Sequence, residues 1–491
     1  MARTALLEQA ERERVAALGS LNSDTRSELG QYFTPATVAN LISSMVFLPE
    51  SGKIRILDPG AGSGILSAAL VQRIVSERPD LHAEIVAIEK DPSVIPHLQR
   101  VVRTCENVDR QRFNTMVINA DFLLDSVGLG ATLELDSFDV VIQNPPYGKL
   151  GVSSQARKAM RAFGVDVPNL YAAFLALSVN LLADNGQLVA ITPRSFCNGP
   201  YFQEFRKYLL NSISLNRIHI FDSRSSVFAE GGVLQENIIF AGVRNGERKT
   251  VELSESQDHT SQITSNTVAY SQVVRPGDPH QFVRLVSSDA DTETAEQMAL
   301  QPCTLSDLGI QVSTGRVVDF RSKHALRNTA IPGAHPLVYP GNLRSGEVKW
   351  PLEIKKPQWF LPENETDKSL LLPDGWYVAV KRFSAKEEKR RIVAATWTPT
   401  EKYPHIAFEN HLNVYHINAR GLDAELAKGL TAWLNSSLVD KYFRTFSGHT
   451  QVNATDLRTL RYPSETTLRL LGRSGVTCAD EIDSKSWLVA A

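Results

Sequence analysis

Cysteine is scarce, with four in 491 residues. Cys105, Cys197, Cys303 and Cys478 lie far apart, so no pair has the spacing of a zinc site. A disulfide framework is equally unexpected, which favours a reducing compartment. Long apolar runs are missing too, and nothing approaches the roughly 18 residues of a membrane span. Glu8, Glu11, Arg12, Glu13 and Arg14 stand where a signal peptide needs an apolar core. These absences predict a soluble, cytoplasmic protein with no metal site. Charge of one sign is also lacking. The formal net charge is -2, so no global basic field announces a polyanionic partner. The balance is uneven, however. Residues 301–491 hold 25 Lys and Arg against 20 Asp and Glu, so residues 1–300 carry an excess of seven acids.

What is present is enough chain for two or three domains with real cores, without a repeat of fixed period. A helical segment is expected over 1–29. Apolar runs at 54–57, 85–88, 117–118, 138–143, 188–192, 217–221 and 237–242 read as strands, and 171–182 as an apolar helix. Strands alternating with helices predict an α/β fold over 30–244, a doubly wound and mostly parallel sheet. Residues 245–304 are rich in Ser, Thr, Gln and Asp and read as a linker or irregular region. A second domain of mixed α+β character is expected over 305–491, where Trp, Pro and basic residues are more frequent.

Two loops carry the chemistry. Asp58-Pro59-Gly60-Ala61-Gly62-Ser63-Gly64 joins a predicted strand to a helix. Gly60, Gly62 and Gly64 permit a tight turn and close approach of backbone to a ligand. Any strand–helix turn can use glycine, so the context decides. Glu89 ends the next strand, where a carboxylate can hold two ribose hydroxyls. Asp121 ends the third, where an acid can accept from an exocyclic amine and Phe122 can stack on adenine. The acid precedes the glycines, unlike the dinucleotide fingerprint. A cationic, amine-bearing adenosine ligand fits better than a pyrophosphate, and S-adenosylmethionine has that description.

The second loop is Asn144-Pro145-Pro146-Tyr147, directly after the run 138–143. Two prolines forbid the strand's continuation. The loop offers an amide, two carbonyls with no competing N–H, and an aromatic face, a set able to grip a planar amine.

With these motifs the chain resembles the γ-class N6-adenine DNA methyltransferases of type II restriction–modification systems. Gly30-Gln31-Tyr32-Phe33-Thr34-Pro35 resembles their N-terminal cofactor motif, 58–64 the glycine motif and 144–147 the catalytic motif. The resemblance implies S-adenosylmethionine as cofactor. It puts Tyr32, Thr34 and Pro35 against its methionine part, Asp58 near its amino group, Glu89 on the ribose, and Lys90, Asp121 and Phe122 around the adenine. Asn144, Pro145, Pro146 and Tyr147 would be catalytic, with Asn144 also beside the cofactor. Tyr147 and Phe228 would stack on the flipped adenine, with Phe221 a competitor for the second place. The implied partners are double-stranded DNA and a separate cognate endonuclease, for a monomer or weak dimer associated with a prokaryotic nucleoid. Segments 340–343 and 447–453 resemble recognition-domain signatures. Lys381, Arg382, Lys389, Arg390 and Arg391, with His449, Gln451 and Asn453, are the expected DNA contacts. The basic run could equally be a solvated face paired with Glu387 and Glu388. Two other readings stay open: methylation of an amine or amide in RNA or protein, and a non-catalytic DNA-specificity protein. Glu353-Ile354-Lys355 mimics part of a nuclease site, but no partner Asp with strand context precedes it, so modification alone is expected.

Overall fold

A strand that is apolar on both faces must lie between two layers. Ser51–Pro59 (β1) behaves this way: Ile54 and Ile56 enter one core and Leu57 the other, all at most 5% exposed. The computed structural model describes residues 2–20, 33–130, 133–198, 200–221, 236–285, 289–384, 388–446 and 451–476. They divide into two units, Met1–Ser287 and Ser288–Ala491.

In the first unit the further strands are Asp80–Glu89 (β2), Phe113–Asn119 (β3), Phe138–Gln143 (β4), Leu182–Pro193 (β5), Ile213–Phe221 (β6) and Asn237–Arg244 (β7), then Thr250–Ser256 (β8) and Thr264–Ala269 (β9). Among the described residues they form one nine-stranded sheet in the order β3-β2-β1-β4-β5-β7-β6-β8-β9. β3 to β5 are parallel, and β7 runs antiparallel between β5 and β6. Helices cover both faces. Ala2–Ser20 (α1), Ala36–Ser44 (α2), Ile65–Glu77 (α3) and Ile95–Val108 (α4) contribute to one core. Leu170–Asn180 (α7) and Gln203–Ser212 (α8) contribute to the other, while the short helices Phe122–Ser126 (α5) and Gln155–Ala162 (α6) follow β3 and β4. Nine of the eleven residues of α7 are buried, as befits a helix that is apolar all round.

Register places the loops. Leu57 pairs with Val141 across β1 and β4, Pro59 with Ile88 across β1 and β2, and Glu89 with Asn119 across β2 and β3. The loops after β1, β2, β3 and β4 therefore leave the sheet at one edge, and the strand order reverses between β1 and β4. Ligands of open α/β sheets bind at such a switch point.

Helix α1 is held by apolar and polar contacts. Leu6, Leu7 and Ala10 are buried. Pro35 precedes α2 and has no side chain to cap it, so Glu11 Oε2 accepts from the Ala36 N–H at 3.1 Å. A carboxylate at a helix N-terminus is favoured by both the orphan donor and the dipole.

Two expectations differ from the structure. The helix read over 171–182 ends at Asn180, and β5 starts at Leu182. Residues 245–304, read as irregular, include β8, β9 and a short helix Tyr270–Val273 in the first unit. The cause is period-2 alternation hidden in a polar segment: Val251 and Leu253 are buried while Thr250 is exposed and Glu252 only half-buried.

The second unit holds two smaller sheets of six and five short strands among the described residues. Its helices Ala424–Leu434 and Glu465–Arg473 meet at glycines: a Cβ on Gly429 would lie 1.7 Å from the Leu468 carbonyl oxygen, and one on Gly472 1.9 Å from that of Glu425. Among the described residues no helix is long and apolar enough to cross a membrane.

Leu253→Ala tests the place of β8 in the core. A buried leucine truncated to alanine should lower unfolding free energy by about 2–4 kcal/mol in denaturant titration. A change below about 0.5 kcal/mol would return the segment to the status of a linker.

Candidate active site

The glycine loop is shaped from behind by acids. Asp58, at the end of β1, has no exposed surface, and its Oδ2 accepts from Ser67 Oγ at 2.7 Å. Its Oδ1 has no hydrogen-bond partner among the described residues. Burial pushes its carboxyl up to about 7, the nearby Glu89 charge adds to this, and the Ser67 hydrogen bonds oppose it. Gly62 adopts φ +55° and donates its N–H to Glu89 Oε2 at 2.9 Å. Glu89 Oε1 accepts from the Asp91 N–H at 2.8 Å. Burial likewise raises the Glu89 carboxyl above its ordinary range. Gly64, at φ +85°, opens α3, and a Cβ there would stand 2.8 Å from Leu98 Cδ1. Its service is the packing of α3 on α4.

Asp121 caps α5 through Oδ1, which accepts from the Leu124 N–H at 3.0 Å, and Lys90 Nζ lies 2.8 Å from Oδ2. Phe122 is buried and lies 5.2 Å from the Phe174 ring.

The second loop is tied down at both ends. Gln143, ending β4, donates through Nε2 to Ser178 Oγ at 2.9 Å. Gly148 and Pro168 accept, through their carbonyls, from the N–H groups of Leu170 and Leu150, both at 2.8 Å. Between these anchors Asn144 Nδ2 donates to Thr34 Oγ1 at 3.0 Å, which fixes the amide's orientation. Pro145 is buried. Tyr147 is half-buried and stands edge-on to Tyr171 at 6.3 Å, and the Tyr171 hydroxyl meets Ser195 Oγ at 3.1 Å.

A cavity of about 550 Å³ opens where these pieces converge. Its wall brings together Thr34, Gly60, Gly62, Glu89, Lys90, Asp121, Phe122, Asn144 and Pro146. Pro35, Asp58, Gly64, Pro145 and Tyr147 do not line it. Asp58 therefore sits behind the glycine loop, not on the wall. Sequence reasoning missed Leu170 and Phe174, and gave Phe33 and Ser63 no role of their own within the motifs that hold them. Phe33 adjoins the Thr34-Pro35 pair and could have been found there. Phe174 was hidden in a helix whose every face is apolar. Tyr32 and Phe228 lie outside the described residues. Phe221 is a core residue, 2% exposed.

Among the expected DNA contacts of the second unit, Arg391 needs correction, and several others have partners within the fold. Arg391 is 1% exposed, its guanidinium lies over Phe443, and its N–H is bound by Asp440 Oδ1 at 2.6 Å. It is a core residue and cannot reach a phosphate. Arg390 donates to the Ser436 carbonyl at 2.9 Å. Lys381 pairs with Glu388 at 2.7 Å, and Arg382 donates to the Asn410 carbonyl at 3.1 Å. Asn453 caps the helix Ala454–Arg458 together with Asp456. Gln451 is half-buried in a bridge to Phe383. Lys389 is exposed, and His449 lies outside the described residues. In segment 340–343, Asn342 is buried and bonded to Tyr339, Lys349 and Gln358. That signature is a structural node.

Asp58 generates a pH-dependent prediction. Its folded carboxyl titrates near 7 and its unfolded one near 3.8, so the folded state binds the extra proton between those values. Stability from this group is present below about pH 4 and falls as pH rises toward 7. Asp58→Asn removes the effect. The variant's unfolding free energy relative to wild type should therefore climb between pH 4 and 7 and level off above. A difference that stays flat across that window would contradict the buried, uncompensated carboxylate.

Residues 93–228 match the family described as Eco57I restriction-modification methylase. The type II methyltransferase M.BsuBI of Bacillus subtilis is 40% identical over 98% of this chain and 97% of its own. The type II methyltransferase M.PstI of Providencia stuartii is 40% identical over 92% of this chain and 90% of its own. The DrdV–DNA complex, solved by cryo-electron microscopy, matches 93% of this chain and 58% of its own with TM-score 0.50 and 12% identity, a likeness of fold. The chain belongs to the type II methyltransferases, the S-adenosylmethionine-dependent enzymes that methylate DNA at specific sites in restriction–modification systems.

Proposed function

We propose that the enzyme methylates N6 of an adenine flipped out of double-stranded DNA, and that the residues around the cavity divide the work as follows. The observation that carries this reading is the Asn144 amide, held by Thr34 at the cavity wall beside the Gly60–Gly62 turn and Glu89.

The cavity suits the cofactor. Glu89 and Asp121 make its polar part acidic, which favours a cationic ligand. Ser63 Oγ, of a residue on the cavity wall, is buried without a hydrogen-bond partner among the described residues, and such a group calls for a ligand or water. Glu89 would hold the ribose, Lys90 and Asp121 the adenine edge, and Phe122 and Phe174 its faces. Thr34, with Pro35, would bound the methionine part. When bound, S-adenosylmethionine supplies a methyl group activated by its sulfonium.

The chain's own contribution is to make an aromatic amine nucleophilic. The N6 lone pair is delocalised into the adenine ring. The Asn144 side-chain oxygen and the Pro145 carbonyl can both accept from the amine, drawing nitrogen toward tetrahedral geometry and freeing the pair. The acceptors are fixed dipoles needing no reorganisation during the step, and Pro146 keeps the loop rigid. Neither acceptor is a base, so the surplus proton leaves to water. The target nitrogen is out of reach in a duplex, so the nucleotide must turn out of the stack. Tyr147 offers a face for it, and stacking returns about 1–3 kcal/mol.

Protection against a separate cognate endonuclease, by a monomer or weak dimer, completes the proposal. Glu353 and Lys355 lie exposed outside any strand, which supports a modification-only chain.

Methyl transfer from labelled S-adenosylmethionine to unmethylated mixed-sequence DNA, followed by nucleoside analysis, tests the reading. Label should appear in N6-methyladenine. Asn144→Ala should lower the rate at saturating cofactor at least about 100-fold, the order of losing a preorganised polar contact. Label in methylcytosine, or in no nucleoside while the cofactor binds, would sink it. A second variant, Glu89→Gln, should instead weaken cofactor binding about tenfold or more, read by calorimetry.

A further inference from the structure

We propose that residues 148–165, which run from the catalytic loop into α6, form a rim that grips duplex DNA beside the target nucleotide, with Lys149 and Lys158 as the phosphate contacts. The proposal rests on the DNA reading above and extends it to a segment with no assigned role.

The position is suitable. The segment starts one residue after Tyr147, and Ala156 of α6 lines the same cavity wall as Asn144 and Pro146. It is also firmly built. Ser154 caps α6 by accepting from the Arg157 N–H at 3.3 Å. Arg157 is buried and pairs with Asp166 at 2.7 Å, and Met160 and Val165 are buried in the core. The backbone that carries the cations therefore needs little ordering on binding.

Charge singles the segment out. Residues 140–165 contain Lys149, Arg157, Lys158 and Arg161 and no acid, within the part of the chain where acids exceed bases by seven. Asp166 takes up Arg157 and Arg161. Lys149 and Lys158 are exposed and make no ion pair among the described residues. Two exposed side chains belong to the same surroundings: Val152, 64% exposed on the turn before α6, and Tyr201, 59% exposed, whose hydroxyl interacts with Arg157 of α6. Point-charge cations with an aromatic and an aliphatic neighbour suit a phosphate backbone and the groove beside it.

The test is a salt titration of binding to a mixed-sequence DNA duplex, for wild type and for Lys149→Ala/Lys158→Ala, beside calorimetry with S-adenosylmethionine. Two lost phosphate contacts should reduce the slope of log affinity against log salt by about two and weaken low-salt binding about tenfold. Cofactor affinity should not change, and Lys149→Arg/Lys158→Arg should restore the slope. A wild type that binds while the alanine variant keeps its slope would overturn the rim alone. Loss of cofactor affinity would assign the segment to the cofactor pocket and also overturn it. A wild type that binds no duplex would overturn the rim together with the DNA reading.

Discussion

The site depends on the parallel pairing of β1 with β4. Ile56 faces Val140 and Leu57 faces Val141, although the chain between them makes two further strands and three helices. That pairing brings the end of β1, with its glycine turn, next to the end of β4, with its proline loop. A slip of one residue would exchange the two faces of β1 and send its apolar residues into the wrong cores. Tight burial on both faces is what sets the register, and the register sets the chemistry.

Electrostatics follow from the same geometry. Asp58 and Glu89 end neighbouring strands, and burial raises both carboxyls. The Ser67 hydroxyl and the Gly62 and Asp91 amides stabilise them in part. A bound cation would offset the remainder, and any ligand that binds only the folded state also stabilises it by mass action. Acids on the cavity wall and cations on the neighbouring segment 148–165 thus divide the surroundings of Asn144 by sign, an arrangement that suits a cationic cofactor and an anionic substrate.

Much of this was legible in the sequence. The prolines at 145 and 146 ended a strand because they must, and the glycines before α3 marked a turn because all three take positive φ. Glu89 was visible as the first polar residue after an apolar run, and Asp121 as the acid just past the end of β3, where it caps the next helix. Other features were not. Strands β8 and β9 hid behind polar outer faces. Phe174 looked like any apolar residue of a buried helix. Charge in a sequence carries no direction: Arg391 reads as a cation available to phosphate, yet it is 1% exposed with its guanidinium over Phe443. Asn342 and Asn453 read as polar contacts and instead satisfy backbone and side-chain partners within the fold.

The central claim is that one amide, Asn144, acts on an amine presented outside the duplex. The most direct measurement is a structure of the enzyme with S-adenosylhomocysteine and a duplex carrying the site mapped from its own methylated product. The account predicts an extruded adenine with N6 within hydrogen-bond distance of the Asn144 side-chain oxygen and the Pro145 carbonyl, its ring against Tyr147. An adenine still stacked in the duplex, or an extruded base whose amine faces other groups, would contradict it.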